Sequence, residues 1–244
     1  MAQSWISGHP LLCIHCEETI KGGKVDKLTK EKLIEEYRAA YAAIPQEALD
    51  LDMRVTIKTM QALARGKPVS PGQLAAIWEI PLEHVRAILK RSVTRGQAQI
   101  DDQGNLVGGV LSLIQTPHRL SVDGSRLFAW CAYDAIYAPG VLGKTAQIES
   151  KDPITGETIR LSIMPDGVSK VYPADTVVTV VGSDTEIVGG PASPRCSQML
   201  FFGSRESAEK WAKSRSDVSI LTVEEVFEIA KLFQIIPARR LGLV

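Results

Sequence analysis

The sequence predicts an α+β protein: an N-terminal winged-helix-like helical domain, followed by a mixed, mostly antiparallel β-sheet domain with flanking helices. Helical periodicity dominates before residue 98, and strand-like runs become frequent after residue 117. These later strands and helices do not alternate regularly, which favours antiparallel over parallel pairing. We divide the 244 residues into an extension (1–50, partly helical), a winged-helix-like domain (51–116) and a sheet domain (117–244).

The extension contains one amphipathic pattern. Over residues 27–43, Leu33, Ile34 and Tyr37 recur at helical spacing between lysines and glutamates, which predicts a helix. Pro45 ends or offsets that helix, since proline lacks the amide hydrogen that a helix interior requires.

The middle section reads as three helices and a hairpin. Residues 53–64 form a pattern closed by Gly66, and Ser70 is a suitable N-cap for a short helix through Trp78. A third helix is predicted over residues 82–91. Two β-like runs within 98–114 flank a turn signal. Three helices followed by a hairpin is the pattern of a winged helix-turn-helix.

The last section mixes both kinds of element. Asp123-Gly124 predicts a turn, and residues 126–137 predict a helix ended by Pro139-Gly140. A capping box beginning at Thr222 predicts a final helix to about residue 233. Strands are predicted over residues 145–149, 157–163, 176–181 and 198–202, and Ser204 as the cap of a helix carrying Trp211.

Composition excludes several functional classes. Hydrophobic residues make up 45% and charged residues 23%, so the chain as a whole is not disordered. Basic and acidic residues both number 28, which argues against a nucleic-acid or membrane partner recognised through bulk charge. The sequence has neither a bilayer-length apolar run nor a secretory signal, and we expect a cytoplasmic protein.

Three scarce residues are candidates for a reactive site. In a helix, Cys131 and Asp134 share a face, and the apolar neighbours of Asp134 predict a partly buried carboxyl with a raised pKa. Cys196 follows a proline-containing loop, and a pair of thiolates suits a soft metal. Taken singly, the cysteines are more simply explained as packed thiols, and Asp134 as the partner of Arg126 or Lys144.

Together these segments resemble one known family. Residues 126–134, continued by 143–146, look like the active-site segment of organomercurial (alkylmercury) lyases. Residues 195–202, with Glu209 and Trp211 after them, are similar to the segment carrying the second essential cysteine of that family. Upstream, residues 64–70 and Leu74-Ala75 resemble its winged-helix-like domain, so the resemblance runs from about residue 54 to about residue 234.

The resemblance implies a reaction and a catalytic domain at 117–244. The reaction is protonolysis of a carbon–mercury bond, giving a hydrocarbon and Hg(II). Cys131 and Cys196 would bind mercury, and Asp134 would deliver the proton and serve as a weak third ligand to the Hg(II) product. No organic cofactor is required. Exogenous thiols or a mercuric reductase would remove the Hg(II).

Two alternatives belong to other classes. One is a metal-responsive regulator that binds DNA through the winged helix and senses a soft metal through the same cysteines. Residues 82–95 carry a basic set suited to such a role, although the zero net charge favours a merely solvated face. The other is an inactive mercury or copper binder. Separately, Cys13 and Cys16 form a C-x₂-C pair without a nearby second ligand pair, which favours an exposed terminus over a closed zinc site.

Overall fold

The computed structural model describes residues 29–182, 195–215 and 217–244. Its α-helices are α1 Lys30–Ala42, α2 Gln46–Leu63, α3 Pro71–Trp78, α4 Leu82–Thr94, α5 Ala132–Leu142, α6 Arg205–Ala212, α7 Val223–Ala230 and α8 Ile236–Arg240. Its strands are β1 Gln99–Ile100, β2 Leu106–Gly108, β3 Leu111–Ser112, β4 His118–Val122, β5 Ser125–Ala129, β6 Ala146–Lys151, β7 Thr158–Met164, β8 Gly167–Tyr172, β9 Val177–Val181, β10 Phe201–Phe202 and β11 Val218–Thr222.

The strands form two antiparallel sheets. The described part of the larger sheet has eight strands in the order β1-β2-β3-β5-β4-β6-β7-β8, and the smaller one has the order β10-β9-β11. Strand β9 is the centre of the smaller sheet, and all five of its residues are buried. The predicted mixture of helices with mostly antiparallel strands is therefore confirmed.

Helices α2, α3 and α4 pack with the β1–β2 hairpin around a small core of their own. Leu63, Leu74 and Val85 are fully buried there, separate from the larger core under the two sheets. Ser70 caps α3, as the sequence predicts, and Gln73 completes a capping box with it. Helix α2, however, begins at Gln46 rather than at residue 53, so the predicted boundary at residue 50 lies inside a helix.

The predicted helix over residues 126–137 is wrong in its first half. Residues Ser125–Ala129 form strand β5, paired antiparallel with β4. The turn between them, Asp123-Gly124, has positive φ at both residues (47° and 78°), a geometry that suits a tight hairpin. The hairpin places Leu127 and Ala129 in the core, so strand pairing overrides the local helical pattern.

The same helix also ends later than predicted. Helix α5 continues through Pro139 and Gly140 to Leu142, and Gly143 ends it in the left-handed conformation (φ 66°). Gly140 serves close packing, because a Cβ there would lie within 2.6 Å of Ile235 Cγ1 and would also meet Cδ1 of that side chain. Burial of nearly the whole helix offsets the hydrogen bond that Pro139 cannot donate.

The C-terminal segment is longer than its capping box alone indicates. Thr222 and Glu225 form the predicted box at the start of α7. A π-helical turn, Lys231–Ile235, then leads directly into α8, which carries the helical segment past residue 233 to Arg240. The sequence pattern does not predict strands β4, β8 and β11. Among the described residues, no helix has the length and apolar character of a membrane-spanning segment.

Candidate active site

Cys131 lies at the start of the most buried helix of the fold. The chain leaves β5 at Ala129, and Cys131 takes an extended conformation as the N-cap of α5. Its Sγ accepts a hydrogen bond from the backbone N–H of Asp134 at 3.4 Å. A sulfur at this position faces the positive end of the helix dipole, which favours negative charge on the sulfur.

Cys196 is held by a different part of the chain. It begins a short 3₁₀ turn, Cys196–Gln198, that precedes β10. The hydroxyl of Thr179, in the central strand β9, donates to the carbonyl of Gln198 at 2.6 Å. The turn also meets helix α5, because the N–H of Ala132 donates to the carbonyl of Met199 at 2.9 Å. Backbone contacts therefore join the two cysteine-bearing segments.

The three predicted site residues meet at one point. The two Sγ atoms and a carboxylate oxygen of Asp134 all lie within 4.8 Å of one another. Cys131 is 2% exposed and Cys196 is 6% exposed, while Asp134 is partly accessible and lines a cavity. The predicted proximity of Cys131 and Asp134 is correct, but it arises from an N-cap and the first turn of a helix rather than from a shared helix face.

The electrostatics of the cluster favour protonated groups at rest. Burial raises the pKa of Asp134 well above its usual range, and the nearby Cys196 raises it further, while the Cys131 thiol and the charge of Arg195 act in the opposite direction. Burial likewise raises the pKa of Cys131, helped by hydrogen bonding with Cys196. A carboxyl that holds its proton beside two thiols is equipped to act as a general acid.

A cavity of about 310 Å³ lies over the cluster. Its lining is mostly apolar side chains from α2, α4 and α5, together with Trp130, which directly precedes Cys131. Asp52 of α2 also lines it. Its size and apolar lining suit a small organic group next to the thiols.

One ion-pair partner that the sequence suggests for Asp134 has a different partner in the structure. Lys144 forms an ion pair with Asp123 rather than with Asp134. Two residues near the site were not identified as such from the sequence, Tyr37 and Gln234. The hydroxyl of Tyr37 accepts a hydrogen bond from Arg195. Gln234 accepts a hydrogen bond from Tyr133 at 2.7 Å. The position of Gln234 in a π-helical turn has no clear sequence signal. Cys13 and Cys16 lie outside the described residues.

The fold and the site define a class of protein. Two buried thiols suit a soft, thiophilic metal, and the adjacent carboxyl adds a proton donor that metal storage alone does not require. Structural zinc sites usually have four Cys or His ligands, whereas this cluster has two cysteines and one aspartate. The group therefore fits a soft metal ion, and the resemblance implies that this metal is mercury.

Comparison with known proteins agrees with this class. The model of the MerB alkylmercury lyase family matches residues 111–234. An alkylmercury lyase of Staphylococcus epidermidis is 37% identical over 172 residues, covering 70% of this chain and 77% of that protein. An alkylmercury lyase of Pseudomonas putida is 34% identical over 181 residues, covering 72% of this chain and 81% of that protein.

A solved structure agrees as well. The mercury-bound form of MerB2 superimposes with a TM-score of 0.67 at 25% identity, over 85% of this chain and 99% of that one. The chain belongs to the alkylmercury lyase family. Neither the family match nor these relatives support the DNA-binding regulator that the sequence leaves as an alternative.

Proposed function

We infer that this protein is an organomercurial lyase, which cleaves the carbon–mercury bond of an organomercurial substrate by protonolysis. The observation that supports this function most directly is the meeting of Cys131, Asp134 and Cys196 within 4.8 Å on the wall of an apolar cavity. The cavity receives the organic group, and the thiols receive the metal.

We propose the following order of steps. One thiol binds R–Hg⁺, forming a sulfur–mercury bond and releasing its proton with the ligand that mercury loses. The second thiol then adds to the same mercury. This addition places electron density on the metal and weakens the carbon–mercury bond. As that bond breaks, its electron pair takes the proton of Asp134, and the hydrocarbon R–H leaves.

The proton balance closes within the site. Asp134 gives one proton to carbon and regains one from the second thiol, so the carboxyl ends the cycle as it began. Mercury remains Hg(II) throughout, and the protein is neither oxidised nor reduced. The raised pKa of Asp134 suits this role, because burial keeps the carboxyl protonated until negative charge develops on the carbon.

The product is proposed to be Hg(II) bound by Cys131 and Cys196, with Asp134 as a weak third ligand. No organic cofactor has a role in these steps. Mercury–thiolate bonds are strong, so release needs competing soft ligands. Small exogenous thiols, or the cysteines of a mercuric reductase, are the proposed acceptors. A reducing cytoplasm keeps both cysteines in the thiol form, and we place the enzyme there.

We also propose the division into an extension (1–50), a winged-helix-like domain (51–116) and a catalytic domain (117–244). Helices α2, α3 and α4 and the β1–β2 hairpin, with their own small core, support the winged-helix comparison. The first boundary falls inside α2. We expect this domain to pack against the cavity and not to bind nucleic acid, since the chain carries no net charge.

Release of hydrocarbon tests the function. Reduced protein with excess thiol and methylmercury or phenylmercury is expected to release methane or benzene catalytically. Cys131→Ala and Cys196→Ala are each expected to lose turnover by at least about a hundredfold while remaining folded, because one thiolate alone cannot activate the bond. Wild-type protein that binds mercury stoichiometrically but releases no hydrocarbon would instead indicate an inactive binder.

A further inference from the structure

Tyr37 of helix α1 contacts two parts of the chain, the end of strand β9 and the residue before Cys196. The side chain is 4% exposed. Its hydroxyl donates to the carbonyl of Val181, the last residue of β9, at 3.0 Å. The same hydroxyl accepts a hydrogen bond from Arg195 Nη2 at 2.7 Å. One oxygen thus joins the end of a buried strand to the residue directly before the second cysteine.

Arg195 makes further contacts in the same place. Its guanidinium carbon lies 5.2 Å from the centre of the Tyr37 ring, within the range of a cation–π contact. Its Nη1 donates to the carbonyl of Gly182 at 3.4 Å. Because a planar guanidinium holds several partners in fixed directions, these contacts restrict the backbone at residue 195 and therefore the approach of Cys196.

The charge of Arg195 also acts on the reacting carboxyl. Arg195 lines the cavity together with Asp134 and Cys196, so its positive charge lies in the same cavity as the carboxyl. When Asp134 gives its proton to carbon, a carboxylate forms in a partly buried place. A fixed cation nearby reduces the cost of that charge.

We propose that Tyr37 is a positioning residue of the reaction: it holds Arg195 so that Cys196 and a compensating positive charge face Asp134. This inference rests on the proposed function. Helix α1 lies outside the residues 111–234 matched by the family model. The proposal adds this helix to the elements that position the site.

The variant Tyr37→Phe tests the proposal, since it keeps the ring and removes only the hydroxyl. We expect kcat to fall by about tenfold, the effect of one hydrogen bond to a charged group, with KM changed by less than about twofold. Tyr172→Phe is the matched control, because Tyr172 is 60% exposed on β8 and is expected to leave both constants unchanged. All rates are compared well below the lowest melting temperature of the set.

A double-mutant cycle separates positioning from a general loss of packing. Arg195→Gln removes the group that Tyr37 is proposed to hold and is expected to lower kcat at least about tenfold. Adding Tyr37→Phe to it is then expected to change kcat by less than about twofold, because the two residues act through one another. A further tenfold loss in the double variant would overturn the proposal, as would a wild-type kcat in Tyr37→Phe.

The outcome is distinguishable from failure of the proposed function. If wild-type protein releases no hydrocarbon, the function itself fails. If wild-type and Tyr37→Phe release it at equal rates while Cys196→Ala does not, the lyase remains and only the role of Tyr37 is lost.

Discussion

At the scale of single residues, the proposed chemistry depends on two buried thiols and a partly buried carboxyl beside them. Burial raises the pKa of Asp134 and of Cys131, so both groups hold protons that the reaction can use. The N-cap position of Cys131 acts in the opposite direction, since the N–H of Asp134 stabilises charge on the sulfur. In the proposed reaction, the site thus combines a carboxyl that holds its proton firmly with a thiol that ionises when mercury binds.

Asp52, a second carboxyl on the cavity wall, allows the effect of burying a carboxylate on stability to be measured. Burial raises the pKa of Asp52 from its ordinary value of 3.8 to about 6. No hydrogen bond or ion pair to this side chain is present among the described residues. Between these two pH values the folded chain binds more protons than the unfolded chain, so stability falls as the pH rises through that window.

We expect Asp52→Asn to be more stable than the wild type at pH 7.5 by about 2 kcal/mol, and equal to it near pH 4. Urea unfolding at both pH values measures this difference. Asp102→Asn, an exposed aspartate, is the control and should stay within about 0.5 kcal/mol. A variant less stable than wild type at pH 7.5 would show that the carboxylate has favourable interactions.

At the scale of secondary-structure elements, local signals predict most helices well. Ser70, Ser204 and Thr222 cap the helices that their sequence patterns indicate, because a cap is a short-range hydrogen bond. Residues 126–129 are different. Their pairing with both β3 and β4, and the burial of Leu127 and Ala129 in the core, override a local helical pattern.

Strand β8 was missed for a different reason. Strand β8 has no fully buried residue and a weak apolar pattern, and it is defined mainly by its antiparallel pairing with the preceding strand β7. The site residues Cys131, Asp134 and Cys196 can nevertheless be found, because their chemical types are scarce and their segments resemble a family. Tyr37 is predicted only as a position on a helix face, since its contact with Arg195 spans 158 residues of sequence.

A buried histidine links two strands and predicts a pH-dependent stability. His118 of β4 is 2% exposed, and its Nδ1 shares a hydrogen bond of 2.9 Å with Ser150 of β6. Burial lowers its pKa from 6.5 to about 4. Between these pH values the unfolded chain is protonated at this residue and the folded chain is not, so the free energy of unfolding falls as the pH falls.

From pH 7 to pH 4.5 we expect the wild type to lose about 2–3 kcal/mol more stability than His118→Asn. Comparing the change within each protein removes the contributions of the shared carboxyls. Parallel losses in the two proteins, measured by denaturant unfolding, would mean that His118 does not stay neutral in the folded state.

At the scale of the whole molecule, the site lies where separate parts of the chain converge. Helices α2 and α4 line the cavity from the N-terminal half, α5 supplies Cys131 and Asp134, and the turn before β10 supplies Cys196. Helix α1 reaches that turn through Tyr37. Under the proposed function, helices α2 and α4 would enclose the organic group, while the start of α5 and the turn before β10 would bind the mercury.

The central claim is that Asp134 delivers the proton that breaks the carbon–mercury bond. The most direct measurement is a single turnover of phenylmercury with Asp134→Asn, following bound mercury and released benzene separately. We expect mercury to bind to the thiols as in the wild type, and benzene release to slow by about a hundredfold to ten-thousandfold, the usual contribution of a general acid. Benzene release at the wild-type rate would contradict the account, because the proton would then come from another group.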